Sequence, residues 1–284
     1  MLASCSKMFL EAAIQSLYDP NTLKPGDKVY PKLGFSNPAD KRSDDIAVQQ
    51  LPDHMGGYDD TSRGSKFDPS YRMRAIAIAL NLNGAVTMTD VAKYMYDRNL
   101  DFKPGTNTKY SNYGYLLASL LIEKVTGKSC FTYLKTKVLA QASIADIKVW
   151  PTVANPRAAD EVIHEDTGLG LSAVKIKSGL LVPNVYGGDG EIIEVGAAPC
   201  GMAASAAAMA QFIRTHAVWS NGGRNPGAAG AGSTPGTSTM AGSRNDGVDW
   251  AFTIATRNWT PTASKDIVGD FSKEINNMIT AKIT

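Results

Sequence analysis

Cysteine and histidine are scarce in this chain of 284 residues, with three of each. Cys5, Cys130 and Cys200 are too few and too far apart for a disulfide framework or a cysteine-based zinc site, and at most one bridge could form. His54, His164 and His216 stand singly, with no His-x-His or His-Glu-x-x-His spacing, so no metal site is expected. Excess charge is missing as well. The 29 basic and 27 acidic side chains leave a formal +2, too little for a field that draws nucleic acid or anionic lipid, and no nucleic-acid partner is expected. No long apolar run is present: the nearest, Gly114 to Leu121, is cut off by Glu123 and Lys124, so no membrane span is expected. Lys7 and Glu11 interrupt the only N-terminal stretch resembling a secretory signal, so none is read; a soluble protein of unassigned compartment is expected.

What is present is ordinary globular composition, 43% hydrophobic and 20% charged, which excludes disorder, collagen-like repeats and coiled coils. Such a length suggests one large domain or two lobes. Helical spacing of Met8, Phe9, Ala12, Ala13 and Leu17 predicts a helix over 4–18, ending at Asp19-Pro20. Residues 19–70 read as loops around short helices, and periodicity returns at 71–82, 89–98, 113–125 and 130–140. Beyond Pro156 the character turns β-leaning at 174–176, 180–185 and 191–195, before an Ala- and Met-rich helix over 203–218. The Gly-rich stretch 220–237 has the composition of a linker, but 238–244, an Asn245-Asp246-Gly247 turn and 250–256 form a hairpin pattern behind it. Ile267, Phe271, Ile275, Met278 and Ile279 share one face of a closing helix over 265–282. Trp250 and Trp259 read as core and rim aromatics of that hairpin.

The candidate nucleophile is Ser4, in Ser4-Cys5-Ser6-Lys7. Positions i and i+3 share a helix face, so Lys7 can reach the Ser4 hydroxyl, and a lowered pKa would let it accept the proton. Spacing alone is weak, because 21 serines and 19 lysines predict about 1.4 Ser-x-x-Lys pairs by chance, and the chain has two. The second, Ser172 to Lys175, lies in a β-leaning stretch and reads as incidental. Order adds specificity. Downstream lies Tyr110-Ser111-Asn112, the only Tyr-x-Asn in the chain.

With these motifs the chain resembles the serine β-lactamase and penicillin-binding-protein superfamily, closest to class C β-lactamases and the family VIII carboxylesterases. Leu51 to Tyr58 resembles that family's "LLxHTSG" segment, Phe102-Lys103-Pro104-Gly105-Thr106 the lead-in to its tyrosine, Leu117 to Gly127 the following helix, and Cys200 to Ser205 its "AGGLxST" helix start. The resemblance implies an α+β, β-lactamase-like fold: an antiparallel sheet flanked by helices, an all-helical lobe, and an active site in the cleft between them. It implies an α/β lobe from 1–20 and 195–284 and a mainly helical lobe over 21–194 carrying Tyr110.

It further implies Ser4 as nucleophile, Lys7 and Tyr110 as a shared general base whose pKa values each fall through the other's proximity, and Asn112 bonded to Lys7 or substrate. The family's strand motif, often Lys-Thr-Gly, aligns with Gly230-Ala231-Gly232, where the cationic or imidazole side chain is absent. Backbone N–H groups of Ser4 and Ser233, beside Gly232, would form the oxyanion hole. Missing the carboxylate-binding cation favours neutral esters, so a carboxylesterase or lipase without cofactor is expected. β-Lactamase, D-Ala-D-Ala carboxypeptidase, acyltransferase and a non-catalytic acyl-accepting sensor are the alternatives. His54 is expected to have a local hydrogen-bond role, and Cys5 to be a buried small residue. Relatives precede the serine with a helix and strands, so a sheet exposed at that edge, or covered by a second copy in a homo-oligomer, is expected.

Overall fold

The computed structural model describes all residues except 20, 61–66, 154–161, 163, 165–167, 189, 221, 257–265 and 284. The chain enters on one 3-10 turn, Ala3–Ser6, that runs directly into helix α1, Lys7–Gln15. Met8, Phe9, Leu10, Ala13 and Ile14 are all buried in α1, and so are Lys7 and Glu11. A helix buried on every face is a core helix, and its polar side chains must find partners inside the protein.

The shell around α1 is helical: α2 (Val29–Leu33), α3 (Met73–Ala79), α4 (Met88–Tyr96), α5 (Asn112–Thr126) and α6 (Cys130–Leu134), the last continuing as a π turn over Lys135–Leu139. α5 starts where the Ser111 hydroxyl accepts the Gly114 N–H at 3.1 Å and stops at Gly127, whose φ of +66° a side chain would strain. α4 begins with a reciprocal Thr87–Asp90 capping box. α1 packs on α5 and α6, and one hydrophobic core runs from Leu2 through these helices to Ala241.

The strands are antiparallel throughout. β1 (Ile147–Val149) pairs with β4 (Met202–Ala204), and β2 (Leu169–Leu171) with β3 (Leu181–Pro183). The larger sheet has the order β5 (Ala229–Thr234), β6 (Thr237–Ser243), β7 (Asp249–Ile254). Helix α7 (Ala206–Ile213) packs on β6 and β7, and α8 (Ile267–Ile283) leans on β6 with Phe271 near Phe252, ring centroids 5.8 Å apart. Among the described residues β7 pairs only with β6, so its outer edge carries no strand of this chain. Trp250 is buried; Trp259 and Lys265, the expected start of α8, lie outside the described residues.

Two β readings change. Val174–Ile176 and Glu191–Val195 are turns, closed by bonds such as Ser178 N–H to Lys175 O and Val195 N–H to Ile192 O. Their apolar content reflects burial of Ile176, Ile192 and Ile193 rather than strand pairing. The helix expected over 203–218 is shorter, because Met202–Ala204 pairs as β4 and Ser205 caps α7 by accepting the Ala208 N–H at 3.1 Å. The linker-like stretch contains strand β5, whose small residues let another backbone approach closely.

Candidate functional site

The 3-10 turn aligns the two candidate groups. At three residues per turn, i and i+3 eclipse, so Lys7 lies directly over Ser4, with Nζ 3.2 Å from Ser4 Oγ. The turn is held under tension. Ala3 has φ +45°, a left-handed conformation that costs a residue with Cβ about 1–2 kcal/mol. Its neighbours hold it: Leu2 N–H donates to Met202 O at 2.7 Å, and Leu2 O accepts the Thr239 hydroxyl at 2.7 Å. Ser4 is 9% exposed and Lys7 fully buried.

Tyr110 and Asn112 arrive from the segment entering α5. Tyr110 Oη is 2.6 Å from Ser4 Oγ and donates to Asn112 Oδ1 at 3.1 Å, which leaves the Ser4 O–H to donate to Tyr110. Lys7 Nζ donates to Asn112 Oδ1 at 2.7 Å and to Pro199 O at 2.8 Å, so with Ser4 its ammonium has three acceptors for three protons. Lys7 and Tyr110 thus converge on the Ser4 hydroxyl from distant parts of the chain.

Two aspartates, neither singled out by the sequence reading, orient this group. Asp68 accepts the Asn112 side-chain N–H at 2.6 Å, which fixes Asn112 Oδ1 toward Lys7. Asp60 accepts the backbone N–H groups of Asn112 and Tyr113 at 2.5 and 3.1 Å, holding the first turn of α5. Asp68→Ala frees the Asn112 amide to rotate; displacements of that kind cost roughly 100-fold in rate. The expected result is a fall in kcat with KM nearly unchanged, and Asp68→Asn should restore only part of it, because its amide oxygen can accept from Asn112 only by turning the NH2 towards the Ser70 N–H, which Asp68 Oδ1 accepts at 2.9 Å.

Both members of the expected base hold their protons. Burial opposes charge on Lys7, but Cys200, Tyr110 and Asp68 outweigh it and its pKa is raised. Tyr110 is raised by burial, with Lys7 drawing it down only in part. The expectation that each lowers the other is thus corrected: desolvation wins for Tyr110, and the ring of acceptors wins for Lys7. The pair becomes basic on losing one proton, a macroscopic step shared between them. Activity is therefore expected to climb with pH from 7 to beyond 9, as a pH profile of kcat/KM would show.

The other single residues have local roles. His54 Nδ1 accepts the Ser111 N–H at 3.1 Å, its ring lies 4.8 Å from that of Tyr110, and burial lowers its pKa to about 4, keeping it neutral. Cys5 is buried, with its thiol pushed up to about 11 by desolvation. All three cysteines are free thiols. Ser172 Oγ accepts the Lys175 backbone N–H at 3.1 Å, a turn contact.

Strand β5 closes the site. A Cβ on Gly232 would lie 2.6 Å from Leu2 O and 2.7 Å from Ser4 N, so only glycine lets the strand touch the turn. Thr234 pairs with Thr237 across the two-residue Pro235-Gly236 turn, and hydrogen-bonded and open pairs alternate from there. By that alternation the Ser233 N–H faces the free edge of β5. Gly232→Val is expected to destabilise by about 1–3 kcal/mol through overpacking and to displace Ser4, read as a lower Tm together with lost activity.

The beta-lactamase family profile matches residues 1–262. The chain belongs to the beta-lactamase family. A putative D-alanyl-D-alanine carboxypeptidase of Escherichia coli (strain K12) is 27% identical over 160 residues, 55% of this chain and 33% of that protein. The chain therefore spans about a third of the length of the curated relatives it matches. Among solved structures, the D-amino acid amidase from Ochrobactrum anthropi SV3 complexed with L-phenylalanine superposes with a TM-score of 0.65 at 15% identity, covering 99% of this chain and 85% of that one. EstCE1, a hydrolase with promiscuous acyltransferase activity, superposes at 0.53 and 17% identity, over 75% of this chain and 57% of that one. These likenesses establish the beta-lactamase-like fold. No described helix is long and apolar enough to cross a membrane.

Against the beta-lactamase pattern, one feature of the site stands apart. A Cβ on Gly230 would lie 2.0 Å from Trp219 Nε1, so the indole fills the space into which the first residue of the strand motif would project. Trp219 stacks on Tyr110, centroids 6.3 Å apart and planes 24° from parallel, and its φ is +54°. Glycine at 230 and tryptophan at 219 are one arrangement, since a lysine at 230 would collide with the ring.

Buried acids leave a mark on stability. Burial raises Glu11 from its ordinary 4.5 to about 7 and Glu191 to about 8. A carboxyl whose folded pKa exceeds its unfolded one contributes stability below the unfolded value and loses it as pH rises through the folded value. Calorimetry is therefore expected to give a Tm highest near pH 5 and falling towards pH 8; a rising Tm over that range contradicts it.

Proposed function

We propose that the protein hydrolyses carboxylic esters, and simple amides, that bear no carboxylate beside the scissile bond, through an acyl-enzyme on Ser4. The observation that carries this reading is Trp219: an aromatic wall stands where a carboxylate-binding cation would be, and Gly230 leaves no room for one. The backbone donors of Ser4 and Ser233 need no such side chain to stabilise an oxyanion. That solved neighbours of this fold are named as amidases and as a hydrolase with acyltransferase activity supports the same breadth.

In the reactive form the Lys7–Tyr110 pair has lost one proton, and the Lys7 ammonium supports a Tyr110 phenolate. Ser4 Oγ bonds to the carbonyl carbon as its proton passes to Tyr110, and the carbonyl electrons move onto the oxyanion. Collapse expels the alcohol or amine, which takes the proton from Tyr110. Water then repeats the sequence: it gives a proton to Tyr110, attacks the acyl carbon, and Ser4 Oγ leaves with that proton. No cofactor enters.

The test compares steady-state turnover of p-nitrophenyl butyrate, a chromogenic cephalosporin and a D-Ala-D-Ala peptide. Loss of a charge-assisted contact costs roughly 10- to 100-fold, so the ester should lead both carboxylate-bearing substrates by at least that factor. Comparable cephalosporin or peptide turnover would overturn the reading in favour of a β-lactamase or carboxypeptidase. A stoichiometric burst without turnover would mark an acyl-accepting sensor, and faster product formation with added alcohol an acyltransferase.

A further inference from the structure

Helix α1 carries a polar stripe that the reaction above uses only at its first member. Lys7, Glu11 and Gln15 are spaced by four, so they lie one above another on the same face, a turn apart. Lys7 serves Ser4, and Gln15 Oε1 accepts the Gly222 N–H at 2.8 Å, in the segment that follows Trp219. Glu11, between them, is 4% exposed and takes no part in the steps described.

The surroundings of Glu11 accommodate two charge states. Tyr115 of α5 has one phenolic proton and two acceptors, Glu11 Oε1 and Pro52 O, the latter at 3.0 Å. When Glu11 is ionised Tyr115 donates to it, and when Glu11 is protonated it can donate to the Tyr115 oxygen, whose own proton then goes to Pro52 O. Burial is the strongest influence on the carboxyl and lifts its pKa to about 7; Tyr115 of α5, Lys7 of its own helix and the Ser220 N–H act against the rise, and Asp53, in the turn before His54, adds to it. Glu11 is therefore charged over the range in which the Lys7–Tyr110 pair gives up a proton.

Lys7 Nζ lies 5.3 Å from the centroid of the Tyr115 ring and 4.9 Å from that of Tyr110. The ammonium thus stands between the ring that reaches Glu11 and the ring that takes the Ser4 proton, with Asp68 and Cys200 facing it as well. A pair that has lost one proton can keep the other on Lys7 or on Tyr110, and only the first form has the phenolate that the reaction needs. An anion on the Lys7 side, away from water, favours that form.

We propose that Glu11 is a positioning residue of the reaction: its carboxylate keeps the remaining proton of the pair on Lys7, so that Tyr110 is the member that becomes anionic. Glu11 makes and breaks no covalent bond; the proton stays on Lys7 Nζ, and Tyr110 Oη releases its own to solvent. This rests on the acyl-enzyme reading of Ser4.

The experiment compares the full chain with Glu11→Gln and Glu11→Asp on p-nitrophenyl butyrate from pH 6 to 10. Glutamine copies the shape and the donor of the protonated carboxyl, the form the wild type holds at pH 5, so the variant should match the wild-type Tm there. Without the anion, neutral Lys7 is no longer penalised and the pair loses its proton earlier. The midpoint of the kcat/KM profile should move down by about one pH unit in Glu11→Gln, the scale of one charge nearby. The alkaline plateau should fall by the matching factor of about ten, through kcat with KM unchanged, because the proton that is left passes to Tyr110. On the acid limb the two curves should coincide. Glu11→Asp, which keeps the charge, should return the midpoint at least half-way to the wild-type value. An unmoved or raised midpoint in Glu11→Gln, or an aspartate profile equal to that of glutamine, overturns the proposal. A uniform loss at every pH, or a raised KM at an unmoved midpoint, overturns it too and leaves Glu11 as a brace for the Trp219 segment. If a fluorophosphonate fails to label Ser4 in the wild type, the acyl-enzyme reading falls and the proposal with it, whereas labelling with an unmoved midpoint overturns the proposal alone.

Discussion

Ser4→Ala abolishes ester turnover, by roughly 10⁴- to 10⁶-fold in kcat, the scale seen when the nucleophile of a cooperating group is removed. The loss is this large because Lys7 and Tyr110, held together by Asn112, act only through the hydroxyl they contact. The fold should survive. Only one small hydroxyl is lost, and Lys7 keeps Asn112 Oδ1 and Pro199 O as acceptors. A stability cost of about 1 kcal/mol is expected, of the order of one hydrogen bond. Labelling by a fluorophosphonate in the wild type and its absence in Ser4→Ala, at matched near-UV circular dichroism, checks the assignment. Retained turnover in the variant would place the nucleophile elsewhere.

Lys7→Ala has the second largest effect, and here activity and stability fall together. The side chain is fully buried and its ammonium is the charge that Asp68, Tyr110 and Cys200 face. Removing the buried ammonium takes the donor from Asn112 Oδ1 and Pro199 O, and a buried acceptor left unpaired costs about 1–3 kcal/mol. Turnover should drop by at least roughly 10³-fold, since no cation then supports the Tyr110 phenolate. Lys7→Met separates the two effects: it refills the space with a side chain of similar length, should recover much of the Tm, and should recover none of the rate. Restoration of turnover by Met would show that Lys7 serves only as packing.

Much of the site was legible because its groups lie in short motifs on elements with clear periodicity. Ser4 and Lys7 share a turn, Tyr110 and Asn112 flank the cap of α5, and the apolar spacing of 113–125 marks that helix. Asp60 and Asp68 had no such signal. They lie in a stretch of sequence rich in polar residues, and what distinguishes them is that both carboxylates reach the start of α5. Trp219 was equally silent, as an aromatic beside a glycine-rich stretch whose meaning depends on Gly230 of β5. Glu191 was read as part of a strand, because buried β-branched neighbours look alike in a turn and in a sheet. The protonation of the pair also went against expectation, since the extent of burial and the number of acceptors around Lys7 are not properties of its spacing from Ser4.

The sequence by itself determined which chemical groups are present, their order along the chain, the helices that carry them, and the absence of a cation at Gly230. These follow from local periodicity and from side-chain identity, which need no knowledge of distant neighbours. Only the tertiary structure decided that Tyr110 accepts from Ser4, that Lys7 has three acceptors, that Trp219 fills the place of the missing side chain, and that Glu191 is buried beside a cavity. Each of these is a contact between segments far apart in the chain, made where the core excludes water, and desolvation there sets both the geometry and the charge of every group.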